Sequence, residues 1–378
     1  MNLQKQLFDL DENATYLNGA FMSPSLKSVA EIGKQQVDLK LRPYQVKGED
    51  FFTTVASIKT EFAKLVNSND SNRIAIIPSV SYGLANVAKN INVKGKEIIL
   101  VEQQFPSNVY PWFELEKTQQ AKLNIINAPQ DLENRGEFWN KRVLEAINEN
   151  TGVVAISHVH WADGTLFDLK AIRKKTKEFG ALLIIDGTQS VGAYPFDVQE
   201  IEPDALICAG YKWLMGPYGM GVAYYGPEFD HGSPIEQNWI NRKDSENFAA
   251  LVDYNHEYQP GAMRYSMGEQ SNFILAPMFL EALKQLNTWG IDNIQSYCKS
   301  ITKIPLEKLQ LKGYWVEDLN FRSSHLFGVR KTGLDVGLLK QKLDKKNIFV
   351  SVRGSSIRVA PHVYNTEADM MKLVDILN

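Results

Sequence analysis

The sequence predicts an α/β fold: a seven-stranded, mainly parallel sheet with helices on both faces, followed by a smaller α+β C-terminal domain. Seven short apolar runs lie between residues 73 and 226, and amphipathic stretches separate several of them. Runs that are apolar almost throughout are typical of strands covered on both faces. Their alternation with helices favours parallel pairing. After residue 226 this alternation stops.

Each predicted strand is bounded by Gly, Pro, Asn or Lys, residues that are common at strand ends. The seven strands are predicted at 73–79, 97–105, 122–129, 151–159, 181–188, 205–210 and 221–226. Helical patterns occupy SYGLANVAKNI, EFWNKRVLEAINEN and LKAIRKKTKEFG, and Gly180 stands in the C-cap position of the last.

The C-terminal part begins with a polar stretch and a long helical region at about 268–300. It continues with HLFGVRK, a helix in GLLKQKLDKKN, two short strands in IFVSVRGSSIRVAPH and a final helix from Thr366. We therefore expect a large domain at 19–255, a small domain at 256–378, and an N-terminal segment, 1–18, that packs on the small domain.

Composition excludes several classes of protein. A formal charge of −3 without a basic cluster gives no field for nucleic acid. Two cysteines form no disulfide framework, which favours a reducing cytoplasm. The N-terminus is polar and acidic, and no segment approaches the roughly 18 apolar residues of a membrane helix. We expect a cytoplasmic protein that binds neither nucleic acid nor membranes.

Ligands of α/β sheets bind beyond the carboxyl ends of the strands, so the residues found there are the first candidates for a site. Strand 73–79 leads into Ser79, Val80, Ser81, Tyr82 and Gly83 at the start of a helix. A serine at this place is either a simple N-cap or part of a phosphate site built from free backbone N–H groups.

Strand 151–159 leads into His158, His160 and Asp163. Alternation along a strand predicts that both histidines share a face. No further His, Cys or Glu with ligand spacing accompanies them, so no metal site is predicted. Histidines bonded to their neighbours are the simpler interpretation. A metal-dependent hydrolase using His158 and His160 is the alternative that needs no organic cofactor.

Two further strand ends carry Asp186 and, 26 residues later, Lys212. Asp186 alone is also compatible with a turn cap, and Lys212 alone with a surface turn. The glycines of GPYGMG lack the ribose-binding acid of a dinucleotide site. Together, however, the two residues form the pair that pyridoxal phosphate (PLP) needs. The lysine amine forms a Schiff base, and the acid keeps the pyridine nitrogen protonated.

The run IIDGTQSVGAYPFDVQEIEPDALICAGYKWLMGPYGMGVAYYG resembles the core signature of class V aminotransferase-like enzymes. These are fold type I PLP enzymes and include cysteine desulfurases, kynureninases and isopenicillin N epimerase-like proteins. The likeness extends from YLNGAFMSP (16–24) through SVSYG and SHVHWADG to SSIRVAPHVYNT (355–366). It implies bound pyridoxal 5'-phosphate in the large domain and a homodimer with its sites at the interface.

The resemblance also implies the roles of the residues that bind the cofactor. Lys212 is the catalytic Schiff-base lysine, and Asp186 is the partner of the pyridinium nitrogen. Gln189 is assigned to the phenolic oxygen of the ring, and Phe105 to the ring face. The phosphate is assigned to Ser81, to the amides of Val80 to Tyr82, and to Tyr211. Phenylalanine stacks on the ring but transfers no protons.

On the substrate side, the resemblance implies that Arg358 binds the α-carboxylate, for which its planar guanidinium is well suited. A surface arginine on a strand is the simpler alternative. His158 is expected to lie near the cofactor, with either His158 or His160 in contact with the substrate. Arg264, in YQPGAMRYSMGE, is expected to bind phosphate or substrate, where relatives reach across the dimer interface.

The shared chemistry is an external aldimine with an amino acid, followed by removal of the Cα proton by Lys212. Transamination is the first expectation, with a cyst(e)ine C–S or other β-lyase and an epimerase as alternatives. Persulfide-type desulfurase activity is disfavoured, because the segment NIFVSVRGSSIRVA has no cysteine. Cys208 and Cys298 lie in a strand and a helix pattern and are poor nucleophile candidates. The intact Lys212, Asp186 and Arg358 also argue against a non-catalytic binding domain.

Overall fold

The structure is a computed structural model that describes residues 1–377, in which the strands are numbered along the chain. The strands are β1 (Thr15–Tyr16), β2 (Ile74–Ile77), β3 (Glu97–Val101), β4 (Lys122–Ile126), β5 (Thr151–Ser157), β6 (Leu182–Asp186), β7 (Ala205–Ala209), β8 (Gly221–Tyr225), β9 (Phe327–Val329), β10 (Ile348–Phe349), β11 (Ser351–Arg353) and β12 (Ser356–Val359).

The α-helices are α1 (Lys27–Lys40), α2 (Asp50–Leu65), α3 (Val80–Asn90), α4 (Tyr110–Gln119), α5 (Arg135–Ala146), α6 (Leu169–Phe179), α7 (Val198–Ile201), α8 (Leu275–Trp289), α9 (Ile291–Leu311), α10 (Val336–Lys345) and α11 (Glu367–Ile376). The helical region predicted near 268–300 is two helices, α8 and α9. Gly290 separates them with a φ of 76°, in the left-handed region that glycine adopts without strain.

The central sheet contains all seven predicted strands, in the order β2-β8-β7-β6-β5-β3-β4. Only β8 is antiparallel to its neighbours, β2 and β7, so the prediction of a mainly parallel sheet is confirmed. Strand residues alternate between two hydrophobic clusters. In β2, Ile74 and Ile76 pack on one face and Ala75 and Ile77 on the other. The sheet is therefore covered on both sides, as its apolar sequence requires.

Helices cover each face of this sheet. The first hydrophobic cluster contains side chains of α1, α2, α5, α6 and α8, and the second contains side chains of α3 and α4. Helix α8 therefore packs in the core of the large domain, although the boundary predicted at 256 assigns it to the small one. None of the helices in residues 1–377 has the length and apolar composition needed to cross a bilayer.

A smaller unit near the C-terminus is built on a three-stranded antiparallel sheet of order β11-β12-β9. A third hydrophobic cluster lies between this sheet and side chains of α9, α10 and α11. Strand β1 pairs in parallel with β10, which ties residues 15 and 16 to this unit. The stretch 348–362 thus forms three short strands where two were predicted. Thr366 caps α11 with a capping box.

Candidate functional site

A cavity of about 220 Å³ lies beyond the carboxyl ends of β2, β3, β5, β6 and β7. The loops after these strands and the turn before β8 supply its walls. Seven residues predicted for the site line it: Val80, Ser81, Phe105, Asp186, Gln189, Tyr211 and Lys212. Tyr82, His158, His160, Arg264 and Arg358 do not line it.

Lys212 follows β7, and only 6% of its surface is exposed. Its ammonium lies 5.2 Å from the centre of the Phe105 ring and 5.6 Å from that of Tyr211. Burial lowers the pKa of Lys212 to about 8, with Asp186 opposing this shift and Arg358 adding to it. A lysine amine with this pKa is substantially neutral near pH 8 and is therefore nucleophilic.

Asp186 ends β6 and is also buried in the cavity wall. Burial raises the pKa of its carboxyl, opposed by a hydrogen bond and by Lys212. The hydrogen bond comes from the Thr188 amide, which donates to Oδ1 at 3.0 Å. No arginine, lysine or histidine of residues 1–377 forms an ion pair with Asp186, so its charge is free to meet a cationic group of a ligand.

Gln189 lines the cavity, and other residues of the protein fix its side-chain amide by hydrogen bonds. Its Nε2 donates to the Ala20 carbonyl at 3.1 Å, and its Oε1 accepts from Trp213 Nε1 at 2.9 Å. Trp213 follows Lys212 directly, so this bond joins the ends of β6 and β7. The amide is thereby held in one orientation beside the cavity.

The start of α3 forms another wall. Ser79 is the N-cap, and its Oγ accepts the Tyr82 amide at 3.2 Å and lies 2.9 Å from Ser81 Oγ. The Tyr82 amide is thus already satisfied, and the Tyr82 hydroxyl donates to Glu236 at 3.0 Å. A phosphate contact of the Tyr82 amide stays a prediction, since Ser79 accepts this N–H in the structure. Val80 and Ser81 face the cavity as predicted.

Helix α3 approaches the sheet closely at Gly83. A Cβ atom there would lie 2.7 Å from the Ile207 side chain of β7. Only glycine permits this approach, which sets the N-terminus of α3 beside the carboxyl end of β7. The positive end of the helix dipole therefore points toward the cavity, where it favours an anion.

Trp161 is a cavity residue that the sequence analysis missed. Its ring packs edge-on against Phe105, with 5.4 Å between the ring centres. Its Nε1 donates to the Gln103 carbonyl at 2.6 Å, which fixes it to the loop after β3. Trp161 is the last residue of the HVHW motif, and its place just after the carboxyl end of β5 is the signal that would have predicted it as a cavity residue.

His158 is buried on the side of the sheet away from the cavity. Its ring centre lies 5.2 Å from that of Tyr194 and 5.6 Å from that of Phe196. Burial and the neighbouring His325 lower the pKa of His158 to about 3. The cavity lining therefore does not support the expected contact of His158 with the cofactor, which stays a prediction, and Ser157 lines the cavity at the end of β5 instead.

His160 belongs to a buried polar network centred on Asp163. Its Nδ1 lies 3.0 Å from Asp163 Oδ1, and its Nε2 lies 3.2 Å from the Glu102 carbonyl. Asp163 Oδ2 pairs with Arg135 at 3.0 Å and with Arg330 at 2.7 Å. The structure does not support the expected substrate contact of His160, which stays a prediction, because both ring nitrogens already have partners.

The same network disfavours the metal-dependent hydrolase. The His158 ring packs against Tyr194 and Phe196, whereas the His160 ring is bonded to Asp163, which two guanidinium groups already neutralise. Within residues 1–377 there is no group of three or more His, Cys, Asp or Glu side chains that could hold a metal ion.

Arg358 lies just outside the cavity and is 1% exposed. Its Nη1 donates to the Trp161 carbonyl at 2.9 Å, and its Nη2 donates to Ser351 Oγ at 3.4 Å. It forms no ion pair with any of residues 1–377, and burial and the neighbouring Arg353 lower its pKa to about 9. A buried guanidinium without an anionic partner is costly, so a ligand carboxylate is its natural complement.

Arg264 lies away from the cavity of its own chain. Its Nη1 donates to the Gly232 carbonyl at 3.1 Å, and its guanidinium lies 5.1 Å from the centre of the Tyr258 ring. A role in the site of a second subunit stays a prediction for this residue.

The cavity fits the predicted PLP. The buried amine of Lys212 matches the aldehyde, and the buried acid Asp186 matches the pyridine nitrogen. The Phe105 ring matches the ring face, and the N-terminus of α3 matches the phosphate. In addition, the chain from 1 to 377 offers no hydrogen-bond partner to two buried oxygens of the cavity lining, Ser157 Oγ and Gln104 Oε1. Buried polar atoms are normally satisfied, so these two indicate a polar ligand.

The pKa of Lys212 leads to a first prediction. Covalent PLP uptake by the cofactor-free protein should accelerate as pH rises, with a midpoint near the pKa of about 8, because only the neutral amine attacks an aldehyde. Arg358→Gln removes a neighbouring positive charge and should move the midpoint upward. Stopped-flow absorbance measures both. A midpoint near the ordinary lysine pKa of about 10.4 in the unchanged protein would contradict the prediction.

Known proteins resemble this chain in sequence and in structure. Residues 40–373 match the family described as Aminotransferase class-V. An uncharacterized aminotransferase of Bacillus subtilis is 28% identical over 322 residues, which cover 84% of this chain and 81% of the relative. A probable cysteine desulfurase of Staphylococcus epidermidis is 34% identical over 254 residues, which cover 66% of this chain and 56% of the relative.

Two solved structures superpose over nearly the whole chain. A cysteine desulfurase of Thermococcus onnurineus in its apo form has a TM-score of 0.83 at 19% identity, with 100% of this chain and 97% of the other covered. The protein C-DES, in a mutant with glycine linked to its PLP cofactor, has a TM-score of 0.87 at 18% identity, with 99% and 98% covered.

Proposed function

This chain belongs to the aminotransferase class-V family and has the fold of fold type I PLP enzymes, and we propose that it transfers the amino group of an amino acid. The observation that carries the proposal is the buried pair of Lys212 and Asp186 in one cavity. Lys212 would hold the cofactor covalently, and Asp186 would pair with the pyridine nitrogen. When bound, PLP supplies the electron sink for the electron pair left at Cα.

Residues of the chain provide the base, the carboxylate-binding group and the apolar wall of the site. The amine of Lys212, once free, takes the proton from Cα of the substrate, and its lowered pKa suits a base near neutral pH. Arg358 binds the α-carboxylate and so orients the Cα–H bond. Phe105 and Trp161 form an apolar wall that keeps water from the reacting atoms.

Transamination is proposed first because relatives in Bacillus subtilis and Schizosaccharomyces pombe, matched over 81% and 93% of their lengths, are described as uncharacterized aminotransferases. A C–S lyase is the second candidate, since the similar protein C-DES is described as a cystine C–S lyase. Persulfide transfer is disfavoured, because the segment 347–360 has no cysteine and Cys208 and Cys298 are buried. Burial also raises the pKa of both thiols, which disfavours the reactive thiolate.

Absorbance and product assays test this proposal. The purified protein should be yellow, and borohydride should abolish the visible band. A panel of amino acids should then yield pyridoxamine phosphate and a keto acid if the enzyme is an aminotransferase. Pyruvate with sulfide would favour the lyase. Solvent deuterium at Cα of the recovered amino acid, without a keto acid or pyruvate, would favour an epimerase. A colourless protein that gains no band from added PLP would refute every form of the proposal.

Arg358→Gln should raise KM for the amino-acid substrate by about 10- to 100-fold, because a charged hydrogen bond to a carboxylate contributes roughly 1.5–3 kcal/mol. Steady-state kinetics measure this change. Arg42→Gln is the matched control, since Arg42 is exposed and does not line the cavity, and the KM of this variant should stay unchanged. An unchanged KM in Arg358→Gln would assign the α-carboxylate to another residue.

We also propose that the enzyme is a homodimer with its sites at the interface. Three large apolar side chains are exposed in segments next to the cavity: Phe21 at 55%, Met22 at 41% and Tyr218 at 70%. Exposed apolar side chains that cluster are typical of interfaces. Analytical ultracentrifugation of the holoprotein should give twice the chain mass, and a monomer at assay concentrations would contradict the proposal.

A further inference from the structure

Two arginines stand on one face of the hairpin formed by β11 and β12. Arg358 pairs with Ser351 and Arg353 pairs with Ser356, and paired residues lie on the same face of a sheet. Ser351 and Arg353 are two residues apart on β11, so they also share that face. The two arginines are therefore neighbours, offset by about 7 Å along the strand.

Arg353, like Arg358, has no carboxylate partner in residues 1–377. Its Nη1 donates only to the carbonyl of Val352, at 2.7 Å. Its Nε is buried and has no hydrogen-bond partner within the described chain. A half-buried guanidinium with a free N–H group has the capacity to bind an anion.

The charges around Arg353 are mainly positive. Arg353 lowers the pKa of both Arg358 and Lys212, which places all three cations within electrostatic reach of one another. Two groups raise the pKa of a neighbouring cation: Asp186 acts on Lys212, and the Tyr16 hydroxyl acts on Arg358. The two guanidinium groups of Arg353 and Arg358 repel each other, and a single α-carboxylate balances only one of them.

Trp161 connects Arg353 with the cavity. The Arg353 guanidinium lies 5.2 Å from the centre of the Trp161 ring, and Trp161 itself lines the cavity and accepts a hydrogen bond from Arg358 at its carbonyl. The two arginines thus meet the same cavity residue at different groups, one at its backbone and one at its ring. Stacking on an aromatic ring holds a guanidinium in one plane and leaves its edge free for a carboxylate.

We propose that Arg353 binds a second carboxylate on the side chain of the substrate, so that the preferred substrates are amino acids whose side chains end in a carboxylate. This inference rests on the proposed function, in which Arg358 binds the α-carboxylate. The second carboxylate belongs either to a dicarboxylic amino acid or to the distal half of a thioether- or disulfide-linked diamino acid. Arg353 is then a specificity-determining residue, and it takes no part in proton transfer.

Titration of the holoprotein with matched amino acids tests this inference through the absorbance of the cofactor. Aspartate and glutamate are compared with asparagine and glutamine, which have the same shape without the charge. Cystathionine is compared with methionine, a thioether that lacks the distal carboxylate. The dissociation constants should be at least tenfold lower for the charged member of one pair, and the pair that shows this difference identifies the source of the carboxylate.

Arg353→Gln should remove that tenfold preference and leave the neutral amino acids within about twofold of their original affinity. Arg353→Lys keeps the charge and should keep part of the preference. Arg42→Gln is the matched control and should change neither the preference for charged amino acids nor the affinity for neutral ones. Circular dichroism and cofactor content verify that each variant is folded and loaded.

Three results would overturn the inference. The first is equal affinity for the charged and neutral members of every pair, while amino acids still perturb the absorbance; the proposed function then stands without Arg353. The second is an equal loss of affinity for charged and neutral amino acids in Arg353→Gln, which would make Arg353 a support for Trp161. The third is an absorbance that no amino acid perturbs, which would refute the proposed function together with this inference.

Discussion

Lys212→Ala should abolish the borohydride-sensitive band and lower kcat by about 10³-fold or more, since general bases contribute 10²–10⁴-fold and the covalent link is lost as well. Lys212 is the only lysine or arginine among the residues that line the cavity formed by the described chain, so no neighbour replaces its amine. PLP should still bind without a covalent bond, because Asp186 and the start of α3 remain. Absorbance before and after borohydride, together with steady-state kinetics, measures these effects.

Lys174→Ala is the matched control, because Lys174 is exposed on α6 and makes no contact with the cavity. This variant should retain both the band and the activity. A small primary amine added to Lys212→Ala should restore part of the rate, since it supplies the missing base. Retention of a borohydride-sensitive band in Lys212→Ala would place the covalent link on another lysine and refute the assignment.

Asp163→Asn should destabilise the protein by roughly 3–5 kcal/mol, the usual cost of removing one partner from a buried ion pair. Asp163 is 1% exposed and pairs with Arg135 and Arg330. Burial by itself would raise the pKa of Asp163, but His160 and the two arginines lower it well below its usual value. Asparagine keeps the size of the side chain but leaves two guanidinium groups in the interior without their common anion.

Urea unfolding followed by tryptophan fluorescence measures this loss of stability. Asp253→Asn is the matched control, since Asp253 is exposed. The urea unfolding midpoint of this variant should equal that of the unchanged protein. Asp163 also links α5 to the small C-terminal sheet, because Arg135 begins α5 and Arg330 follows β9. A midpoint unchanged in Asp163→Asn would show that the network adds nothing to stability.

The sequence predicted the central sheet well for a physical reason. Strands buried on both faces must be apolar along their whole length, so each appears as a short run such as ALLIIDGT that cannot be mistaken for an exposed segment. The ends of such runs reach the same edge of a parallel sheet. Asp186 and Lys212 stood out there because a charged residue directly after an apolar strand needs a partner.

The histidines show where a strand pattern ceases to be informative. His158 and His160 both pack against the cluster that contains Phe196 and Trp139, on the side of the sheet away from the cavity. Alternation relates residues to one another but does not say which face meets the ligand. Beyond Ser157 the chain turns, since the His160 amide donates to the Thr165 carbonyl, and the pattern no longer applies.

The sequence by itself determined the fold class, the seven strands and the pair of Lys212 and Asp186, because burial on both faces constrains local composition. Only the tertiary structure decided that Trp161 lines the cavity and that Arg353 lies against the Trp161 ring. Those residues come from segments about 190 positions apart, and the contact between them depends on how the small sheet docks on the large one. Local patterns carry no information about such docking, which is a property of the packed chain.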